Sequence, residues 1–184
     1  IDMKRTMFLV VLALIPAFLF GCYNIGSQVG LEGFAALMYG LVRVLPMLAV
    51  SYVVGLGIEV IYAQIRKEEV AEGYFVTGFL IPMIMPVSTP LWMVALGVAF
   101  AVIFGKEVFG GTGMNIFNPA LLARAFVFFA FTPQMSGEKV WYSDWSMMGA
   151  QVDGVSGATA LEQLATTGQM QWSAMDAFLG FIPG

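Results

Sequence analysis

From Gly73 to Gly105 the chain carries no charged side chain, and from Thr6 to Leu31 it carries none either. Segments of this kind cannot all be hidden inside a water-soluble globule of 184 residues, of which 59% are hydrophobic and 11% charged. An ordinary soluble domain is roughly 25% charged. The bilayer is therefore the natural solvent of this chain, and a one-domain cytosolic enzyme is excluded. The expected fold class is all-α, a polytopic membrane helix bundle with about five hydrophobic segments, some of them short or broken. Twelve acidic residues against 8 basic ones, a net charge of −4, leave no basic field for nucleic acid.

The first segment opens after Lys4-Arg5, and Met7 to Phe20 is almost continuously apolar. No small-residue cleavage site of the A-x-A type follows, so it reads as a first membrane helix with Pro16 as a tolerated kink. A second runs from Val44 to Ile65 and stops at Arg66-Lys67-Glu68-Glu69, with Gly21–Gly40 as the loop between. The stretch Gly73–Gly105 would reach about 50 Å as one straight helix, well beyond the roughly 30 Å hydrocarbon core. Pro82, Pro86 and Pro90 divide it into Tyr74–Val87 and Leu91–Phe104, each short for a full crossing. Two readings fit: broken helices around a midplane site, or two tilted, kinked helices joined by Ser88-Thr89-Pro90.

A further helix is expected over Pro119–Phe131, with Asn118 as its N-cap and Pro119 in its first turn. Beyond it, Trp141, Tyr142, Trp145 and Trp172 mark an extramembrane loop with interfacial aromatics. The organisation expected is thus a membrane region over 1–132, a loop over 133–175 and the start of another segment at 176–184. Lys4-Arg5, Arg66-Lys67 and Lys106 fall at span ends expected to share the cytoplasmic side. If Pro119–Phe131 crosses, Thr159 lies on the outer side.

The chain contains no histidine and one cysteine, Cys22. Histidine-based catalysis and haem ligation, internal disulfides and an internal thiolate metal cluster are therefore excluded. Cys22, in an apolar run, reads as a small buried hydrophobe. Any redox chemistry must rest on a bound organic cofactor or a partner.

Within the second span, Glu59 is the notable residue. A carboxylate in a membrane segment costs roughly 3 kcal/mol on insertion scales, so such residues usually mark an ion path, a proton relay or a polar interface. The plainer alternative is that Glu59, six residues before Ile65, pairs with a basic residue at that end of the span. Gly55 and Gly57 would allow close approach of a neighbouring helix or a flat ligand. Arg43 and Arg124 read as helix-end or partner-paired charges, with Arg124 also able to meet a flavin or quinone oxygen.

Gly110-Gly111-Thr112-Gly113 lacks the Lys-Ser/Thr of a P-loop and the strand before a Rossmann fingerprint. On composition it is a connector, although its backbone N–H groups and the amides of Asn115 and Asn118 could meet a planar heterocycle. Further on, Thr159 and Glu162 have the spacing of a capping box that starts a helix through about Ala165. In a second reading, the Thr159 hydroxyl carries a phosphate ester at that helix N-terminus, left accessible by Gly157 and Ala158. Both readings use the same oxygen.

Ser156-Gly157-Ala158-Thr159 resembles the covalent flavin-attachment motif of membrane flavoproteins from two related respiratory complexes. GKEVFGGTGMNIFNPALLARAFVFFAFTPQMSG (Gly105–Gly137), IRKEEVAEGYFVTG (Ile65–Gly78) and MDAFLGFIPG (Met175–Gly184) are similar to the B-type membrane subunits of the sodium-translocating NADH:quinone oxidoreductase. The related D-type subunits of the ferredoxin-linked Rnf complex are the alternative within that family. The resemblance implies half of a ten-helix, urea-transporter-like fold in a bacterial inner membrane. It also implies FMN held by a phosphoester to Thr159, a noncovalent riboflavin near Asn115 and Asn118, and ubiquinone as substrate near Gly55. Glu59 would lie on a sodium path. The implied partners are the other subunits of the complex, the lipid bilayer and a flavin transferase during maturation. Where the family commonly shows two adjacent glycines, this chain has Gly55-Leu56-Gly57, which weakens any carry-over to Leu56, while Glu59 still matches.

The chain is short for this family and reads as an N-terminal-half fragment. Two function classes follow: an electron-carrying subunit that passes electrons to ubiquinone coupled to sodium export, or a channel or permease half without redox role. They differ in whether Thr159 holds flavin or only caps a helix.

Overall fold

In the computed structural model, which describes residues 3–67, 73–136, 160–169 and 173–179, the apolar segments are helices. They are α1 (Met3–Gln28), α2 (Gly33–Arg66), α3 (Tyr74–Ile84), α4 (Leu91–Gly105), α5 (Pro119–Ala130), α6 (Thr132–Met135), α7 (Ala160–Thr167) and α8 (Ala174–Leu179). A 3₁₀ turn, Glu107–Phe109, follows α4, and there is no strand among the described residues. Lys4–Gln28, Gly33–Arg66 and Leu91–Phe109 are long and apolar enough to cross a membrane, while α3 and α5 are shorter apolar helices. The chain is thus an all-helical, polytopic membrane protein.

The prolines fall where their chemistry places them. Pro16, Pro46 and Pro82 lie inside α1, α2 and α3. Pro86 falls in the break after α3, and Pro90 immediately precedes α4. The uncharged stretch is therefore two helices, with α3 ending at Ile84 rather than Val87.

The expected loop Gly21–Gly40 is a correction. Nearly all of it is helical, only residues 29–32 connect α1 to α2, and α2 begins eleven residues before Val44. The reason lies in how its glycines pack. A Cβ on Gly26 would lie 2.1 Å from the Ala36 carbonyl oxygen, and one on Gly40 would lie 1.9 Å from that of Cys22. These glycines let two helix backbones touch, which is how helices associate where lipid removes the hydrophobic drive.

Helix α4 is the hub of the core. Met93, Val94, Val98, Ala101 and Val102 are buried between α2 on one side and α5 on the other. The outer surface is apolar, with Phe8, Val53 and Phe129 exposed, as suits a hydrocarbon solvent.

The helix ends gather in a definite way. Lys106 meets Glu59, Arg66 meets Glu107, and Met7 shares a cavity with Gly73, Thr112 and Pro119. The start of α1, the ends of α2 and α4, and the starts of α3 and α5 therefore lie at one end of the bundle. Lys4, Arg66 and Lys106 share that end, as their positions along the spans predict. Helix α5 runs away from it, so that Thr89 Oγ1, beside the far turn, donates to Met135 Sδ at 3.8 Å.

Candidate functional site

One face of α2 carries Ser51, Gly55 and Glu59, four residues apart and all buried. That spacing places them in line on a helix, so α3 and α4 pack against a polar stripe in an apolar bundle. At its far end Ser51 Oγ donates to the Gly78 carbonyl at 3.0 Å, and Tyr74 Oη donates to the Ser51 carbonyl at 2.9 Å. The Tyr74 ring fills the notch at Gly55, where a Cβ would lie 1.9 Å from Tyr74 Cζ and Oη. Gly55 does allow close approach, and the group that takes the space is a phenol of this same chain. Gly57 has nothing within 4 Å of its own Cβ position.

One turn on, Glu59 Oε1 accepts from the Lys106 ammonium. Both side chains are buried, at 3% and 5% exposure. The plainer expectation for Glu59, a basic partner at its end of the span, is therefore realised. Its Oε2 has no hydrogen-bond partner among the described residues, although it too is buried. A second pair sits beside the first: Arg66 Nη1 lies 3.4 Å from Glu107 Oε2, and Arg66 Nη2 donates to the Glu107 carbonyl. Buried charges demand such partners, because desolvation of an unpaired ion costs several kcal/mol.

The loop that follows is tied down. The Lys106 carbonyl accepts from Phe109 N at 3.2 Å and Gly111 N at 3.0 Å. Gly110, Gly111 and Gly113 have φ values of 114°, 95° and 94°, a region that only glycine enters freely. Asn115 Oδ1 accepts from Gly113 N at 3.2 Å, and its Nδ2 donates to the Phe117 carbonyl at 2.8 Å. Asn118 Oδ1 caps α5 as expected, accepting from Ala120 N at 2.9 Å and Leu121 N at 3.4 Å.

These elements line an open cavity of about 330 Å³, with Gly73, Thr77, Lys106, Thr112, Asn115 and Asn118 among its walls. Its volume is within the usual range for small-ligand sites. Thr112 Oγ1 is buried with no hydrogen-bond partner among the described residues. Capping uses the Oδ1 acceptor of Asn118, an exposed residue at the mouth of the cavity. The expected pair Asn115 and Asn118 is thus brought together in one polar pocket. A second, apolar cavity of about 470 Å³ is lined by Lys4, Met7, Phe8, Val11, Tyr52 and Phe75.

The remaining candidates are dispersed. Arg43 Nε and Nη2 each lie 3.3 Å from Tyr39 Oη. Arg124 is half-buried on α5. Cys22 is buried against the Gly40 backbone. Thr159 lies outside the described residues, as do Ser156, Gly157 and Ala158. The helix expected after Thr159 runs Ala160–Thr167.

Three contributors to the site are not legible from sequence. The position of Lys106 gives its end of the bundle but not its contact with Glu59. Tyr74 and Thr112 carry no signal beyond residue type.

A bundle of apolar helices with paired charges in its interior and a polar, loop-lined cavity beside them defines a polytopic membrane protein. The chain belongs to the NQR2, RnfD, RnfE family, which it matches over residues 1–184. It is 41% identical to the B subunit of the Na(+)-translocating NADH-quinone reductase of Pseudoalteromonas atlantica, over 100% of this chain and 52% of that protein. The proteins of the same name from Chromohalobacter salexigens and Neisseria meningitidis are 42% and 40% identical, again over all of this chain and 50% and 53% of theirs. The chain spans about half the length of the curated relatives it matches.

Proposed function

We propose that this chain forms part of the membrane subunit of a sodium-translocating NADH:quinone oxidoreductase, in which electrons from a partner subunit reach ubiquinone coupled to sodium export. The observation that carries the reading is the match along the whole chain to relatives bearing that name, reinforced by a polar cavity in which Thr112 Oγ1 has no partner among the described residues.

The 330 Å³ cavity suits a noncovalent riboflavin: the Thr112 hydroxyl, without a partner among the described residues, and the Asn118 amide are donors that a heterocycle with ring carbonyls can use. Bound flavin would supply reversible electron transfer, which no side chain here provides. Thr112 and Asn118 would orient the ring system, and Lys106 would set the local charge. Asn115 shapes the loop, since both ends of its amide are engaged within it.

Thr159 is the proposed attachment point of FMN through a phosphoester, on the strength of Ser156-Gly157-Ala158-Thr159 and a helix beginning at Ala160. A helix N-terminus favours a phosphate there. For ubiquinone, the notch at Gly55 is filled by Tyr74, so a ring near this turn would meet Tyr52 and Phe75 on the wall of the apolar cavity. Glu59 is the proposed sodium-path residue. The end that gathers Lys4, Arg66 and Lys106 is assigned to the cytoplasm and the Thr159 loop to the periplasm of a bacterial inner membrane. A flavin transferase is then required during maturation.

The test is a denaturing gel of the full-length protein, co-expressed with the transferase and viewed under ultraviolet light. A fluorescent band that vanishes in Thr159→Ala is expected. A dark wild-type band would overturn the flavoprotein reading in favour of a permease half in which Thr159 only caps α7.

A further inference from the structure

Lys106 belongs to two environments at once. Its ammonium pairs with Glu59 Oε1 in the bundle interior, and the residue also lines the loop cavity. Each side of the pair is incompletely used. Glu59 engages one carboxylate oxygen and leaves Oε2 buried without a partner among the described residues. The ammonium has three donors, and Glu59 is its one described acceptor. The neighbouring ions offer no substitute, because Arg66 and Glu107 are closed on each other.

The charge arithmetic links the two environments. Glu59 and Lys106 together are neutral. A sodium ion on Glu59 neutralises the carboxylate, so the three groups together carry +1 and the buried ammonium loses its counter-charge where interactions between charges are only weakly screened. That state is favourable only if Lys106 finds other acceptors. The cavity provides the place for them: ring carbonyl and ring nitrogen acceptors of a bound heterocycle. Lysine suits this exchange, being a compact charge on a flexible stem.

We propose that Lys106 is a tethered counter-ion shared between Glu59 and the loop cavity, so that sodium at Glu59 and the heterocycle in the cavity bind interdependently. This rests on the riboflavin reading of the cavity, and it adds the residue that couples that site to the ion. Linkage is reciprocal: whatever factor sodium applies to riboflavin affinity, riboflavin applies to sodium affinity. Lys106 is a positioning residue in this scheme, and no proton or electron passes through it.

The experiment measures riboflavin dissociation from the assembled complex at low and high sodium, with potassium holding ionic strength constant. Wild type should bind riboflavin more tightly at high sodium, by about tenfold for an ordinary coupling. Lys106→Gln should bind it weakly at both concentrations, and Glu59→Gln, which frees the lysine permanently, should bind it tightly at both. Lys106→Arg, which keeps the charge, should retain the sodium effect and guards against a glutamine variant that fails to assemble. A wild-type complex that holds riboflavin with no sodium effect, or a Lys106→Gln complex that keeps the wild-type effect, overturns the counter-ion role alone. A wild-type complex whose acid extract contains no riboflavin removes the flavin reading and the coupling with it.

Discussion

Gly55 and Gly57 lie two residues apart on α2, and the same substitution should act on them in opposite directions. At Gly55 an added Cβ would sit 1.9 Å from Tyr74 Cζ and Oη and 2.4 Å from Cε1, so the ring must leave its notch. Overpacking of this sort costs about 1–3 kcal/mol. Moving the ring also breaks the 2.9 Å bond from Tyr74 Oη to the Ser51 carbonyl, and a buried hydroxyl left without a partner costs about 1–3 kcal/mol more. Alanine is the better helix former by about 1 kcal/mol at either site. Gly57→Ala meets nothing within 4 Å and should be neutral or stabilising by up to that amount. The propensity gain cancels between the two variants, so their difference isolates the collision at about 2–6 kcal/mol. The assay is denaturant unfolding of the assembled complex in detergent, with Tyr74→Ala as the second arm of a double-mutant cycle. In the Tyr74→Ala background, Gly55→Ala should cost nothing. Equal stabilities for Gly55→Ala and Gly57→Ala, or a cost that persists without the ring, would refute the notch.

Glu59→Gln should lower the sodium dependence of quinone reduction while the fluorescent FMN band stays intact; unchanged sodium activation would remove Glu59 from the ion path. The same change leaves a buried ammonium unpaired at a cost of about 3–5 kcal/mol, and Glu59→Leu combined with Lys106→Met should recover that stability without recovering the sodium response. Asn118→Ala loses the cap of α5, about 1 kcal/mol in thermal unfolding. Asn118→Asp keeps the acceptor but loses the amide donor, so it should unfold like wild type yet retain less riboflavin on extraction; full retention would exclude the Asn118 amide from the pocket.

Much of the fold is written in local chemistry. Proline fixes its own torsion and removes a donor, so the break between α3 and α4 could be read from Pro86 and Pro90, and Asn118-Pro119 announced the start of α5. Glycine is ambiguous in the same way that proline is not. Gly26 and Gly40 look like loop residues, yet their use is the close contact of α1 with α2, which depends on two segments meeting in space. The site divides along the same line. Glu59, Asn115 and Asn118 stood out by residue type and position, and the last two do share a pocket. The partners that give them meaning came from distant elements: Lys106 from the end of α4, Tyr74 from the start of α3 and Thr112 from the loop. One-dimensional periodicity holds no record of those meetings.

Helix α2 has 34 residues, about 51 Å at 1.5 Å per residue. To lie wholly inside a hydrocarbon layer roughly 30 Å thick it would have to lean by more than 50°, beyond the 0–40° at which membrane helices are found. At an ordinary lean of about 20° some 21 residues suffice for the crossing, and about 13 must stand outside it. Divided between the two ends, that surplus puts the boundary of the hydrocarbon about six or seven residues before Arg66, at the level of Glu59. The carboxylate and its ammonium then sit at the threshold between oil and headgroup, buried by protein rather than by lipid. A cation arriving from that face would shed its hydration against protein groups, with no span of hydrocarbon to cross first.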